Sequence, residues 1–371
     1  MFQTIYTASF LMAFSGFLVS TSTSFFLAQI KHSGALIIGL AGFTATFTHS
    51  IITFVLSRYS KDKPNVFFIY APLVMGIVYC LISFSTVPLI FLLLIVGGSC
   101  NALFWPSSQK CLSGADDFEI GIYNLSWGSG GIAGTFLSGF IYSLSPSLPF
   151  FTVLFIYTIV FILLISQKGK LLGVDNKPLP ARQIEKALSL ETANDIRILN
   201  FIHFFASGAV FYLYPKLGLL RGFTPQIIGS MIGILFISRL ITFLLLMDKP
   251  LILHPAKFVI GTTFFGISCI LVGYGKNPFI IVLGVIILGS TGALAYHNSL
   301  LMHIKYNLKT EIHECIIGAG VFSGSLVAGC LGQIFNLPVA YLIIGTSILL
   351  SGLLCGREYL FRLVKCKSGT R

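Results

Sequence analysis

Long apolar runs alternate with short polar gaps along the whole 371-residue chain. Each run is about the length that a helix needs to cross the hydrocarbon core of a bilayer, roughly 20 residues. The runs between charged or Pro/Gly-marked gaps predict twelve spans, at 5–28, 34–56, 65–85, 87–110, 120–143, 149–167, 197–215, 224–247, 256–275, 278–303, 312–334 and 336–356. Some gaps hold only a few residues, such as Ser145-Pro146-Ser147 and Asn336-Leu337-Pro338, and connections that short join antiparallel neighbours. The first run begins almost at Met1 with no Lys or Arg ahead of it. It is longer than the apolar core of a cleaved signal peptide, about 7–15 residues, so it reads as a retained span.

Composition places this pattern in lipid. The chain is 55% hydrophobic and only 10% charged, where a soluble domain carries about a quarter charged residues. The net charge of +12 does not point to nucleic acid, because its basic residues sit in the gaps between apolar runs rather than on one folded face. They report topology instead. With the N-terminus in the cytoplasm, 19 of the 24 Lys and Arg fall on the cytoplasmic side. Lys31, Lys216, Arg221 and Lys276 fall on the other side, and Arg239 lies within a span. The twelve acidic residues share the basic side. The asymmetry follows the positive-inside rule and predicts an even number of crossings with both termini cytoplasmic. The expected location is a bacterial inner membrane, as an integral multi-pass monomer. The longest polar segment, 168–196, falls between spans 6 and 7; its stretch 181–188 suits either an interfacial amphipathic helix or a flexible linker.

A repeat divides the chain. Ile37-Ile38-Gly39 recurs as Ile227-Ile228-Gly229, Ile52-Thr53-Phe54 as Ile241-Thr242-Phe243, and Asp62-Lys63-Pro64 as Asp248-Lys249-Pro250. In spans 4 and 10, Gly98, Ser99, Ala102, Leu103, Trp105 and Ser108 face Gly289, Ser290, Ala293, Leu294, Tyr296 and Ser299. In spans 5 and 11, Gly128, Gly130, Gly134 and Gly139 match Gly318, Gly320, Gly324 and Gly329. The offset stays near 190 throughout, and six spans separate equivalents, so the halves share one orientation. This all-α, twelve-span arrangement in two pseudo-symmetric six-helix bundles resembles the major facilitator superfamily. So do Phe104-Trp105-Pro106-Ser107-Ser108 and Tyr123-Asn124-Leu125-Ser126-Trp127-Gly128, which look like spans 4 and 5 of some bacterial members. The family's loop motif after span 2 is degenerate here, with Arg58 where an Asp is expected. The resemblance implies an N-terminal bundle at 1–167, a linker at 168–196, a C-terminal bundle at 197–356 and a basic tail at 357–371. It also implies alternating access to a site near the bilayer midplane, lined by spans 1, 4, 7 and 10.

The polar residues of those spans are the substrate-binding candidates: Ser99 and Asn101, His203 and Ser207, and Ser290, Thr291, His297 and Asn298. Counting from Pro88 at about 1.5 Å per residue puts Asn101 roughly 20 Å deep and Trp105 roughly 26 Å, so Trp105 is expected in a vestibule or belt. Arg239 is the only charged side chain well inside a span; such a group should face protein or water. With His49, its counterpart in the repeat, it is expected to form a cytoplasmic gate that reaches Tyr123 or Asn124. Arg58, Asp62, Asp248 and Glu314 complete the gating candidates, Glu314 being the carboxylate nearest to a span interior. No carboxylate lies deep in a span, so a coupling proton would fall to His203 or His297. Gly130/Gly134 and Gly320/Gly324 are small-xxx-small pairs that bring helix backbones close.

The eight cysteines form no CxxC or Cys/His cluster, so no metal or cofactor is expected. There is no phosphate loop and no nucleophile–base set, so no enzymatic activity is expected. The function expected is secondary transport of a small organic solute; a non-transporting receptor or sensor on the same fold is the alternative.

Overall fold

The computed structural model describes residues 1–59, 64–112, 115–173, 190–246, 256–306 and 308–368. Among them, twelve long helices follow one another: α1 Phe2–Phe25, α2 Ala35–Tyr59, α3 Ala71–Ile82, α4 Val87–Lys110, α5 Asp117–Leu144, α6 Leu148–Ser166, α7 Leu190–Leu220, α8 Pro225–Leu246, α9 Ala256–Tyr274, α10 Pro278–Lys305, α11 Thr310–Ile334 and α12 Leu337–Ser368. They answer to the twelve expected spans, and no strand interrupts them among the described residues. Nine are long and apolar enough to cross a membrane, while α3 and α9 are shorter apolar helices. The helix α5 is rich in Gly and Ser, yet its 28 residues extend about 42 Å.

Two boundaries depart from expectation. Helix α7 starts at Leu190, inside the segment assigned to the linker, and α12 runs on to Ser368 through most of the expected tail. Gln167 is followed by one short helix, Lys168–Leu172. The stretch 181–188 lies outside the described residues.

Local chemistry sets the ends. Asp116 and Glu119 form a reciprocal capping box at the start of α5, satisfying amides that would otherwise be orphaned. Asn277 caps α10 by accepting from Phe279 N at 2.9 Å. Proline occupies the first turn of α3, α4, α6 and α10, where its missing N–H costs nothing. Large apolar side chains such as Phe84, Leu92, Phe155 and Phe279 are exposed on the outside, while Ser9, Thr135, Asn200 and Ser325 are buried. This is the reverse of a soluble protein and suits a lipid exterior.

The repeat is visible in the packing. A Cβ on Gly130 or Gly134 of α5 would run into the carbonyl of Phe10 or Phe14 of α1, and one on Gly320 or Gly324 of α11 into that of Phe201 or Phe205 of α7. Phe10 and Phe14 stand 191 residues before Phe201 and Phe205. The same exchange relates the joint between halves, where Gly39 of α2 meets Ser325 of α11 and Gly229 of α8 meets Thr135 of α5. Even the turns agree: His32 after α1 has φ 50° and Gly222 after α7 has φ 81°. The halves therefore join along α2–α11 and α5–α8. An even number of antiparallel crossings brings the end of α12 back to the face where α1 begins, called here the termini face.

Candidate functional site at the joint between the halves

A cavity of about 230 Å³ lies between the halves. Its wall draws on α1, α2, α4 and α5 from one half and α7, α8, α10 and α11 from the other, with Tyr79 of α3 behind. Most of the wall is apolar or aromatic, including Trp105, Trp127, Phe204, Phe211 and Tyr296. Polar groups are few, as in most small-molecule sites: Asn101, His49, Arg239 and Glu314 are the ones with the strongest hydrogen-bonding capacity.

Arg239 is 1% exposed. Its terminal nitrogen approaches His203 Nε2 at 2.9 Å. A guanidinium only donates, so His203 accepts through that nitrogen. Its carbon stands 5.6 Å from the Trp127 ring and 5.0 Å from the Phe236 ring, distances at which a cation is attracted to a π face. The expected reach to Tyr123 or Asn124 is replaced by this arrangement. Trp127 fills the α5 side, and Asn124 instead accepts from Trp127 Nε1 at 3.2 Å and faces His297 at 3.5 Å.

His49, the counterpart of Arg239, takes part in a different contact. Its Nε2 lies 3.5 Å from Glu314 Oε2, and Gln109 Nε2 donates to Glu314 Oε1 at 2.5 Å. Glu314 is 5% exposed. Three helices thus converge on one carboxylate, α2 and α4 from the first half and α11 from the second. Nearer the termini face, Lys110 pairs with Glu311 at 2.5 Å, Ser50 donates to the Cys315 carbonyl at 2.7 Å, and Lys309 donates to the Ser57 carbonyl. All of these ties cross between the halves. On the opposite face Lys216 donates to the Ser33 carbonyl, again across the joint.

Asn101 is the one among the eight substrate-binding candidates that lines the cavity. His203 and Ser207 stand behind Arg239, with the Ser207 hydroxyl 3.4 Å from His203 Nε2. His297 and Asn298 are buried behind the wall. Ser99 and Thr291 donate to the carbonyls of Ile95 and Ile287 on their own helices, and Ser290 is half-buried away from the cavity. Trp105 shares the wall with Asn101 rather than standing apart in a vestibule. Of the gating candidates, Arg239, His49 and Glu314 line the cavity. Arg58 is exposed and lies over Phe54 at 4.6 Å, and Asp62 and Asp248 lie outside the described residues. The four packing glycines do bring backbones together, as described above.

Sequence reasoning passed over Gln109, Glu311, Lys110, His303 and His313. The repeat offset held a signal for one of them. Ser108 faces Tyr123 at 3.5 Å in the first half, and Ser299 faces His313 at 2.9 Å in the second. His313 occupies the place of Tyr123, and its neighbour His303 reaches the Ser299 carbonyl at 2.7 Å.

The termini-face ties give a direct test. Glu311 and Lys110 are nearly buried, at 4% and 12% side-chain exposure, and removing one partner of such a pair costs about 3–5 kcal/mol. Glu311→Ala is expected to loosen that face and raise the alkylation rate of Cys315 several-fold, with the other cysteines removed. The charge swap Lys110→Glu with Glu311→Lys should return it toward the original value. Equal rates in all three proteins would show that the pair does not hold the face shut.

Two like-oriented six-helix halves around a sparsely polar central cavity, in a bundle with an apolar exterior, define an integral multi-pass membrane protein of the solute-carrier type. The family model described as Major Facilitator Superfamily matches residues 5–310, and the chain belongs to that superfamily, whose members are transporters rather than enzymes. Solved structures of the same fold include a bacterial homologue of the human drug peptide transporters PepT1 and PepT2, at 12% identity with TM-score 0.70 over 98% of each chain. The nucleoside transporter NupG is similar at 15% identity with TM-score 0.66, over 96% of this chain and 98% of that one. The human organic anion transporter MFSD10 (TETRAN) is similar at 10% identity with TM-score 0.64, over 95% and 98%. A search of curated proteins finds no significant match.

Proposed function

We propose that this transporter moves a small organic solute by alternating access, with the two halves rocking about the central cavity and a proton carried on Glu314. The observation that carries the reading is that one cavity holds Asn101, Arg239 and Glu314 on walls contributed by both halves. A solute bound there touches both halves at once, so its binding energy can bear on their relative position.

Glu314 supports the coupling role by where its contacts go. Gln109 and His49, which hold it, belong to the opposite half. Hydrogen bonds to a charged group contribute about 1.5–3 kcal/mol each. Protonating the carboxylate weakens those ties and so favours separation of the halves at that face. The basic side of the sequence, which includes the termini face, is taken as cytoplasmic, in a bacterial inner membrane, with the protein acting as a monomer. The sensor alternative has no particular observation in its favour, since the cavity is polar on both halves.

Purified protein in proteoliposomes is expected to accumulate its solute when a proton gradient is imposed, and only to equilibrate it when the gradient is collapsed. Candidate solutes are found by thermal stabilisation of the purified protein. Solutes that stabilise it but never cross would favour the sensor reading, and accumulation unaffected by collapsing the gradient would remove the proton.

A further inference from the structure

Among the described residues, Arg239 is a buried cation whose charge has no counter-ion. Its one hydrogen-bond partner, His203, accepts through Nε2 and is neutral in doing so. Its Nε–H has no hydrogen-bond partner among the described residues. No carboxylate pairs with it among the described residues. Glu314, which lines the same cavity, is engaged by Gln109 and His49 instead. A charge removed from water without a partner is costly. Trp127 and Phe236 stand beside the guanidinium, with its carbon 5.6 and 5.0 Å from their ring centres, which offsets part of that cost. The site is arranged to receive an anion.

The rest of the wall says what that anion is attached to. Trp105, Trp127, Phe204, Phe211 and Tyr296 surround the remaining space, and flat apolar walls of this kind gain most from an aromatic or apolar body. A second charge on the solute would meet no second free cation on the cavity wall among the described residues. A planar carboxylate matches the guanidinium fork.

We propose that Arg239 is the anion-binding group of the transport site and that the solute is a small organic monoanion, a carboxylate on an aromatic or apolar body. This rests on the transporter reading above. It assigns Arg239 to the substrate rather than to a gate.

The test compares acids with their neutral amides: benzoate, phenylacetate and indole-3-acetate against benzamide, phenylacetamide and indole-3-acetamide. Full-length protein is assayed by thermal stabilisation and by uptake into proteoliposomes. At least one acid is expected to stabilise the protein and to cross, with its amide at least about ten-fold weaker, the size of a lost charge-assisted bond. Arg239→Gln should remove the preference for the acid, and Arg239→Lys should keep part of it. If Arg239→Gln fails to fold, the acid-over-amide ratio of the unaltered protein decides alone. Amides that bind and cross as well as the acids, or acid uptake unchanged in Arg239→Gln, would overturn the anion site and leave transport intact. No binding or uptake of any of the six would overturn the aromatic monoanion and leave the transporter reading to the wider solute screen.

Discussion

Leucine in place of Gly324 is expected to abolish the recovery of folded, monodisperse protein, and leucine at Gly134 to do the same. At each position even a Cβ would meet a backbone carbonyl, of Phe205 and Phe14 respectively. A backbone cannot step aside as a flexible side chain can. The penalty should therefore exceed the ~1–3 kcal/mol typical of overpacking in a core that can adjust. Gly169 is the control, because a Cβ there has nothing within 4 Å, and Gly169→Leu should leave yield and melting temperature unchanged. Size-exclusion profiles and thermal melts of the three variants measure this. A Gly324→Leu protein that melts with the wild type would show that α11 and α7 are not packed as closely as described.

The second large effect concerns the carboxylate. Glu314→Gln keeps the shape of the side chain and an acceptor, but cannot gain or lose a proton. Proton-driven accumulation of solute should fall to the level of passive equilibration, while exchange of labelled for unlabelled solute across the same membrane continues. That split separates coupling from binding: a variant that merely damaged the site would lose both. Wild-type accumulation by Glu314→Gln would place the coupling proton elsewhere, and loss of exchange together with accumulation would make Glu314 a structural tie.

Most of the fold was legible in the sequence, for a physical reason. A bilayer demands about 20 apolar residues per crossing, so the spans are written in hydropathy and the structure moves their ends by only a few residues. The exceptions are the start of α7 and the end of α12, which extend past the apolar stretch. The repeat was legible because the glycines at its contact points cannot vary freely. Gly130, Gly134, Gly320 and Gly324 each sit against a backbone carbonyl.

The site was only partly legible. Arg239, His49, Glu314 and Asn101 stand out because strongly polar groups are rare within a span, and the structure gathers all four on one cavity wall. Ser99 and Thr291 do not behave as they read, because hydroxyls in a helix satisfy themselves on the carbonyl four residues back. Their polarity says nothing about what they face. Gln109 and Glu311 were passed over because they lie near the ends of helices, where polar residues are ordinary. Only the convergence of α2, α4 and α11 gives them a role. The repeat pairs Arg239 with His49 but does not name its partner: Trp127 fills the α5 side where Tyr123 or Asn124 is expected, and His203 of α7 stands 2.9 Å away.

The central claim is that the two halves rock about this cavity, and the antiparallel pair α5–α8 reports on it most directly. Gly128 of α5 lies against Leu240 and Phe243 of α8 toward one face, and Gly139 against Pro225 toward the other. Spin labels at Phe118 and Leu245 mark the termini face, and labels at Leu144 and Ile227 mark the far face; all four side chains are exposed. Pulsed electron–electron distances are then measured for each pair with and without a transported solute. Rocking predicts that one distance grows while the other shrinks. Distances that stay fixed, or that lengthen together, would contradict it.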